Sequence, residues 1–140
     1  MSGNTIAITQ YIPNASPQQV YAALTTVEGL ARWWWPHISD TSYRIDACVG
    51  GEYDIRSVAA GIGARGRFTA LDPNSNLRFT WNWMNDGIST VEEEVEIHIQ
   101  PADNGVTLSL THCLAPQAGD GADLRQGWSD VLARLAILWE

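Results

Sequence analysis

The stretch Leu77-Arg78-Phe79-Thr80-Trp81-Asn82-Trp83 alternates large apolar and polar residues. The same period returns in Val91-Glu92-Glu93-Glu94-Val95-Glu96-Ile97-His98-Ile99 and in Val106-Thr107-Leu108-Ser109-Leu110-Thr111-His112. A period of two marks strands with one buried face. Asn85-Asp86-Gly87 and Ala102-Asp103-Asn104-Gly105 supply the turns between them. Three successive antiparallel strands are therefore expected over 77–83, 89–100 and 106–113. Upstream, strands are expected over 42–48, 52–58 and 64–71. They are separated by Gly50-Gly51 as a turn or bulge, by the loop Ala59-Ala60-Gly61-Ile62-Gly63, and by the strong turn Asp72-Pro73-Asn74-Ser75-Asn76.

The two ends complete the pattern. Residues 5–12 read as a strand that Pro13-Asn14 breaks. Ser16 is an N-cap with Pro17 at the first helical position, and Val20, Ala23, Leu24 and Val27 recur at helical spacing through 18–26. A second short helical piece, 28–34, stops at Pro36. After a loop over 114–121, a final helix over 123–139 carries Leu124, Trp128, Val131, Leu132, Leu135 and Leu138 on one stripe. Each element has a single apolar face. The expected architecture is α+β: a curved antiparallel sheet of about six or seven strands closing around a long C-terminal helix, with two short helices after the first strand. The 140 residues fit one domain, 1–140.

Hydrophobic residues make up 45% and charged residues 17%, a globular composition. There are 16 acidic residues against 8 basic ones, and every basic residue is arginine. Without lysine there is no Schiff-base chemistry and no phosphate-loop lysine. A net charge of −8 argues against nucleic acid and against an anionic membrane surface. Residues 1–10 lack the pattern of a signal peptide and no apolar run is long enough to span a membrane, so a cytoplasmic location is expected. Cys48 and Cys113 are expected as free thiols. No metal-ligand spacing occurs, so neither a metal nor a cofactor is expected.

Parity assigns the faces. Tyr53 and Ile55 face the same way as Gly66 and Phe68, which leaves Glu52, Asp54 and Arg56 outside beside Arg65 and Arg67. Glu93 falls where Val or Ile is expected on the inner row, and His112 ends the inner row of the next strand. Counting back from Asp103-Asn104 puts Glu93 close to His112 or Leu114. A buried carboxylate needs a partner, and a Glu93–His112 couple beside aromatic walls is a candidate acid/base or ligand-orienting pair. The plainer alternative, which the sequence favours, puts Glu93 at the sheet rim, or turned outward with Glu92 and Glu94 by a bulge, with His112 a satisfied core histidine. Glu92-Glu93-Glu94 with Glu96 otherwise reads as a solvated edge. Trp33, Tyr53, Phe68, Phe79, Trp81, Trp83, Leu110, Trp128 and Leu132, with Glu93 and His112, are the candidate lining of a cavity, against the alternative of ordinary core. For Trp33-Trp34-Trp35 the alternatives are an aromatic gate or exposed interaction patch, and one or two rings packing the short helix onto the sheet with the third covering the surface. The second is favoured because adjacent helical residues cannot all face one core. An exposed patch there would suit a homodimer.

Several segments together carry a resemblance: Ile12 to Thr25 around Pro13-Asn14-Ala15-Ser16-Pro17, then Ala31-Arg32-Trp33-Trp34-Trp35-Pro36, then Gly50-Gly51-Glu52-Tyr53. Gly66 to Trp81 and Gly127-Trp128-Ser129-Asp130-Val131-Leu132 complete the ordered set. The chain resembles the activator of heat-shock chaperone ATPase homologue branch of the SRPBCC superfamily, also called START-like or Bet v 1-like. It departs from that pattern at Arg125-Gln126, where similar sequences carry a histidine before the glycine-tryptophan pair. The resemblance implies a helix-grip fold with an internal cavity between sheet and C-terminal helix. Three functions are then open. The first is a binding module for a small apolar or aromatic ligand. The second is an enzyme of cyclase, dehydratase or hydrolase type using Glu93 and His112, although no catalytic motif such as G-x-S-x-G is present. The third is a co-chaperone or protein-interaction domain, for which the sequence names no partner.

Overall fold

The structure is a computed structural model and describes residues 5–86, 88–115 and 121–140. In chain order the elements are β1 (Thr5–Pro13), α1 (Pro17–Thr25), α2 (Val27–Trp33), β2 (Thr41–Ile45), β3 (Glu52–Ser57) and β4 (Ile62–Asp72). They continue with β5 (Asn76–Asn85), β6 (Ile88–Ser89), β7 (Glu93–Ala102), β8 (Gly105–Cys113) and α3 (Ala122–Ala136). All strand pairings are antiparallel, in the order β1-β8-β7-β5-β4-β3-β2, with β6 attached to β5. α3 packs across the sheet, which is the helix-grip arrangement.

Local chemistry explains the helix boundaries. The Ser16 hydroxyl accepts from the Gln19 amide at 3.1 Å, and the Gln19 side chain accepts from the Ser16 amide at 2.8 Å. This reciprocal capping box, with Pro17 following, starts α1. Thr26 then caps α2 by accepting from Gly29 N–H at 3.0 Å. α3 turns Trp128, Val131, Leu132 and Leu135 to the sheet, where they meet a layer that includes Leu77, Val95, Ile97, Leu108 and Leu110. Each fully buried leucine in that layer contributes roughly 1.5–3 kcal/mol. The helix is shorter than its apolar stripe: it ends at Ala136, and Leu124 and Leu138 are only half-buried.

The outer ladder of β3 and β4 follows the parity, with Glu52 opposite Arg67 and Asp54 opposite Arg65. Arg56, however, pairs along its own strand with Asp54 at 2.7 Å, and Arg67 reaches toward Glu92 at 4.0 Å.

One expected strand is corrected. Residues 89–100 do not run as a single strand. Ile88–Ser89 pairs with Asn85 and Met84, and Thr90 N–H donates to the Trp83 carbonyl at 2.8 Å. Pairing resumes with Glu93 opposite Trp81, so one extra residue is accommodated between Thr90 and Glu93. Such a bulge reverses parity on one side of itself. Val91, expected on the inner row, is therefore 54% exposed. Glu93 lies beyond the bulge, in register with the hairpin to β8, and keeps its inward direction.

Part of the loop expected over 114–121 lies outside the described residues, at 116–120, as do Gly87 of the Asn85-Asp86-Gly87 turn and residues 1–4. Cys48 and Cys113 are free and exposed. No helix among the described residues is long and apolar enough to cross a membrane.

Candidate functional site

Glu93, His112 and Trp128 come from β7, β8 and α3 and meet under the N-terminal half of the helix. The Glu93 carboxylate contacts the His112 Nε2 at 2.8 Å through one oxygen and accepts the Ala115 N–H at 2.8 Å through the other. On the far side of the imidazole, the Trp128 indole N–H donates to His112 Nδ1 at 3.0 Å. This chain fixes the tautomer. An indole nitrogen can only donate, so Nδ1 must accept and the ring proton sits on Nε2, where it points at Glu93. Protonating Nδ1 would set two donors facing each other. His112 has no exposed surface, and burial pushes its imidazole below the ordinary value, against the opposing pull of Glu93. The pair therefore consists of a neutral histidine and a carboxylate, with Glu93 9% exposed. His112 cannot reach a ligand. It positions Glu93.

The three consecutive tryptophans are all buried, at 1%, 6% and 9% for Trp33, Trp34 and Trp35. This corrects the expectation that one would cover the surface. Helical spacing ends at Trp33: Trp34 is extended at φ −93°, and Trp35 adopts the left-handed region at φ 53°. Leaving the helix turns the three rings toward different neighbours while each stays in edge contact with the next, at 5.3 and 6.0 Å. Trp33 turns to α1 and donates to the Ala23 carbonyl at 2.8 Å. Trp34 packs against both Trp81 and Trp128, with ring centroids at 6.0 and 5.3 Å, while those two rings touch each other at 5.1 Å. Trp35 meets Trp83 edge-on at 5.8 Å. A left-handed backbone is costly for so bulky a residue and is held here by the surrounding rings. The patch on which a homodimer would have rested is therefore not a surface.

These rings border a cleft of about 670 Å³ between the β5–β7 end of the sheet, the end of α2 and the first turns of α3. Trp34, Trp35, Trp81, Trp83 and Trp128 form its wall, with Glu93 among them and Asp123 at its edge. Such a volume lies within the range of small-molecule sites. The deeper space between sheet and helix is nearly filled. A void of about 40 Å³ remains there, bordered by Trp33, Tyr53, Phe68 and Phe79 among others. The Tyr53 hydroxyl donates to the Thr80 carbonyl at 2.6 Å, and burial pushes its ionisation far up. Leu110 and Leu132 are packed in the core and border neither space.

The expected lining thus divides. Trp81, Trp83, Glu93 and Trp128 border the cleft, backed by His112, while Trp33, Tyr53, Phe68 and Phe79 surround the small void. Trp34 and Trp35 border the cleft as the less favoured aromatic-gate alternative has it, and Leu114 and Gly127 border it without having been expected there. Pro36 marks the end of helical spacing without saying where the rings go. The indole nitrogens of Trp34 and Trp81 are buried with no acceptor among the described residues, at a cost of about 1–3 kcal/mol each. Stability alone would not put two unpaired donors behind one wall.

Residues 14–140 match the family described as Activator of Hsp90 ATPase homolog 1-like protein. No curated protein sequence matches the chain significantly. Among solved structures, protein CV1439 from Chromobacterium violaceum is 28% identical with a TM-score of 0.79, covering 98% of this chain and 97% of its own. The Aha1 dimer from Colwellia psychrerythraea is 25% identical with a TM-score of 0.72, covering 97% and 96%. CalU16 from Micromonospora echinospora shares the fold at 21% identity and a TM-score of 0.69, covering 94% and 73%.

Proposed function

The chain belongs to the Activator of Hsp90 ATPase homolog 1-like family, a branch of the SRPBCC superfamily, and from that premise we propose that it is a binding protein. Acting as one START-like domain, it holds a small apolar or aromatic molecule in the indole-walled cleft. The observation that carries this reading is the contrast between a cleft of about 670 Å³ and an otherwise closely packed interior. A wall of five tryptophans offers large apolar area and flat faces for stacking. A functional site is also where a sequence tolerates a left-handed tryptophan and unpaired buried donors.

The enzyme reading has less support, because both oxygens of Glu93 and both nitrogens of His112 are already engaged within the protein. Titrating an aromatic and lipid library while following tryptophan fluorescence tests the binding reading. Gly127→Leu supplies the control: Gly127 borders the cleft, and a Cβ there meets open space. The variant should fold as the parent does, gaining about 1 kcal/mol of helix propensity, and lose binding at least tenfold. Ligands that bind parent and variant equally would place the site elsewhere.

A further inference from the structure

Resting on that binding reading, we propose that the ligand is an organic cation: an ammonium nitrogen carried on an aromatic or apolar body. Among the described residues, the charge around the cleft has one sign: Glu93 and Asp123 border it, and no arginine does. The arginines nearby are engaged elsewhere: Arg125 donates to the Ala7 carbonyl at 3.2 Å, Arg78 pairs with Glu96 at 3.0 Å, and Arg67 lies 4.0 Å from Glu92. His112 does not neutralise Glu93, because the Trp128 N–H occupies its Nδ1 and holds the imidazole uncharged. The carboxylate is stabilised by two N–H donors yet, among the described residues, matched by no cation.

Five indoles line the cleft that Glu93 borders. Ring faces carry negative potential, and tryptophan is the ring that holds a cation best. Aromatic faces and a buried carboxylate therefore attract the same class of ligand. A carboxylate ligand such as a fatty acid would face Glu93 directly. A neutral aromatic ligand would cover Glu93 without compensating it. The net charge of −8 favours approach of a cation and opposes approach of an anion.

The test uses two probes of one shape, benzyltrimethylammonium and neopentylbenzene, which differ by the charged nitrogen. Binding of each to the whole protein is followed by tryptophan fluorescence. The hydrocarbon has the larger hydrophobic drive, so a preference for the ammonium can come only from charge. The expected result is ammonium binding tighter by about tenfold or more, weakened by added salt, with the preference lost in Glu93→Gln. Asp123→Asn, at an exposed position, should reduce it less and without risk to folding, and it serves if Glu93→Gln does not fold. Equal or tighter binding of the hydrocarbon overturns the cation assignment and leaves the binding reading standing. A preference that survives in folded Glu93→Gln overturns the role given to Glu93. Failure of both probes to bind at millimolar concentration overturns both the cation assignment and the binding reading.

Discussion

Replacing Trp128 by Phe removes one N–H and two ring carbons from a side chain that is 2% exposed. Among the described residues that N–H is the donor to His112 Nδ1, at 3.0 Å in a fully buried site. Leaving that acceptor without a partner costs about 1–3 kcal/mol. Two buried carbons add about 0.8 kcal/mol each. The expected destabilisation is about 3–5 kcal/mol, a large fraction of a typical domain stability of roughly 5–15 kcal/mol. Urea unfolding followed by far-ultraviolet circular dichroism reads this as a lowered midpoint with an unchanged slope. Circular dichroism is preferable to fluorescence because Trp128 is itself an emitter. Nitrogen-15 spectra of the imidazole supply the specific signature. In the parent, His112 should carry its proton on Nε2 with a bare Nδ1. In the variant, Nδ1 is free to take a proton, so the imidazole titrates at higher pH than in the parent. A loss below about 1 kcal/mol, or a parent His112 protonated on Nδ1, would refute the hydrogen-bond chain and the uncharged state deduced from it.

Two further outcomes are expected. Burial lowers the folded-state ionisation of His112 below its ordinary value of 6.5, while the unfolded chain takes up the proton near that value. Its contribution to stability is thus fully present above pH 6.5 and lost as pH falls below it, by up to about 1.4 kcal/mol per pH unit until the folded group protonates. Urea midpoints of parent and His112→Gln between pH 7.5 and 5.5 should converge toward acid, and parallel curves would contradict the buried neutral state. At Gly66 a Cβ would land on the Thr80 carbonyl of the neighbouring strand, so Gly66→Ala must force β4 from β5 and cost about 3 kcal/mol or more by the same urea assay. Retention of parental stability in that variant would show that the two strands can separate locally without cost.

The aromatic cluster illustrates how far sequence reasoning reached. Parity on β5 put Leu77, Phe79, Trp81 and Trp83 on one face, and burial follows that row until Trp83 becomes half-buried at the cleft. The Asp103-Asn104 turn fixed the β7–β8 register closely enough to bring Glu93 near His112. A bulge does occur in this strand, but it precedes Glu93 and turns Val91 outward instead. Helical spacing failed at Trp34 and Trp35 because the helix ends there, and periodicity says nothing about rings on irregular backbone.

Alternation and capping are local properties, so the sequence by itself determined most of the elements and their buried faces, whereas the pairing of β1 with β8 and the bulge before Glu93 belong to the tertiary structure. The sequence likewise determined the acidic, lysine-free charge that limits the partners. Only the tertiary structure decided where empty space remains. The residues between sheet and helix fill that interior almost completely, whereas the tryptophans hold open a cleft beside it. The tertiary structure also decided that His112 is uncharged, since that follows from an indole donor sixteen residues away in sequence arriving at Nδ1 from another element. Volume and protonation depend on which side chains meet across the fold, and no period along the chain encodes that meeting.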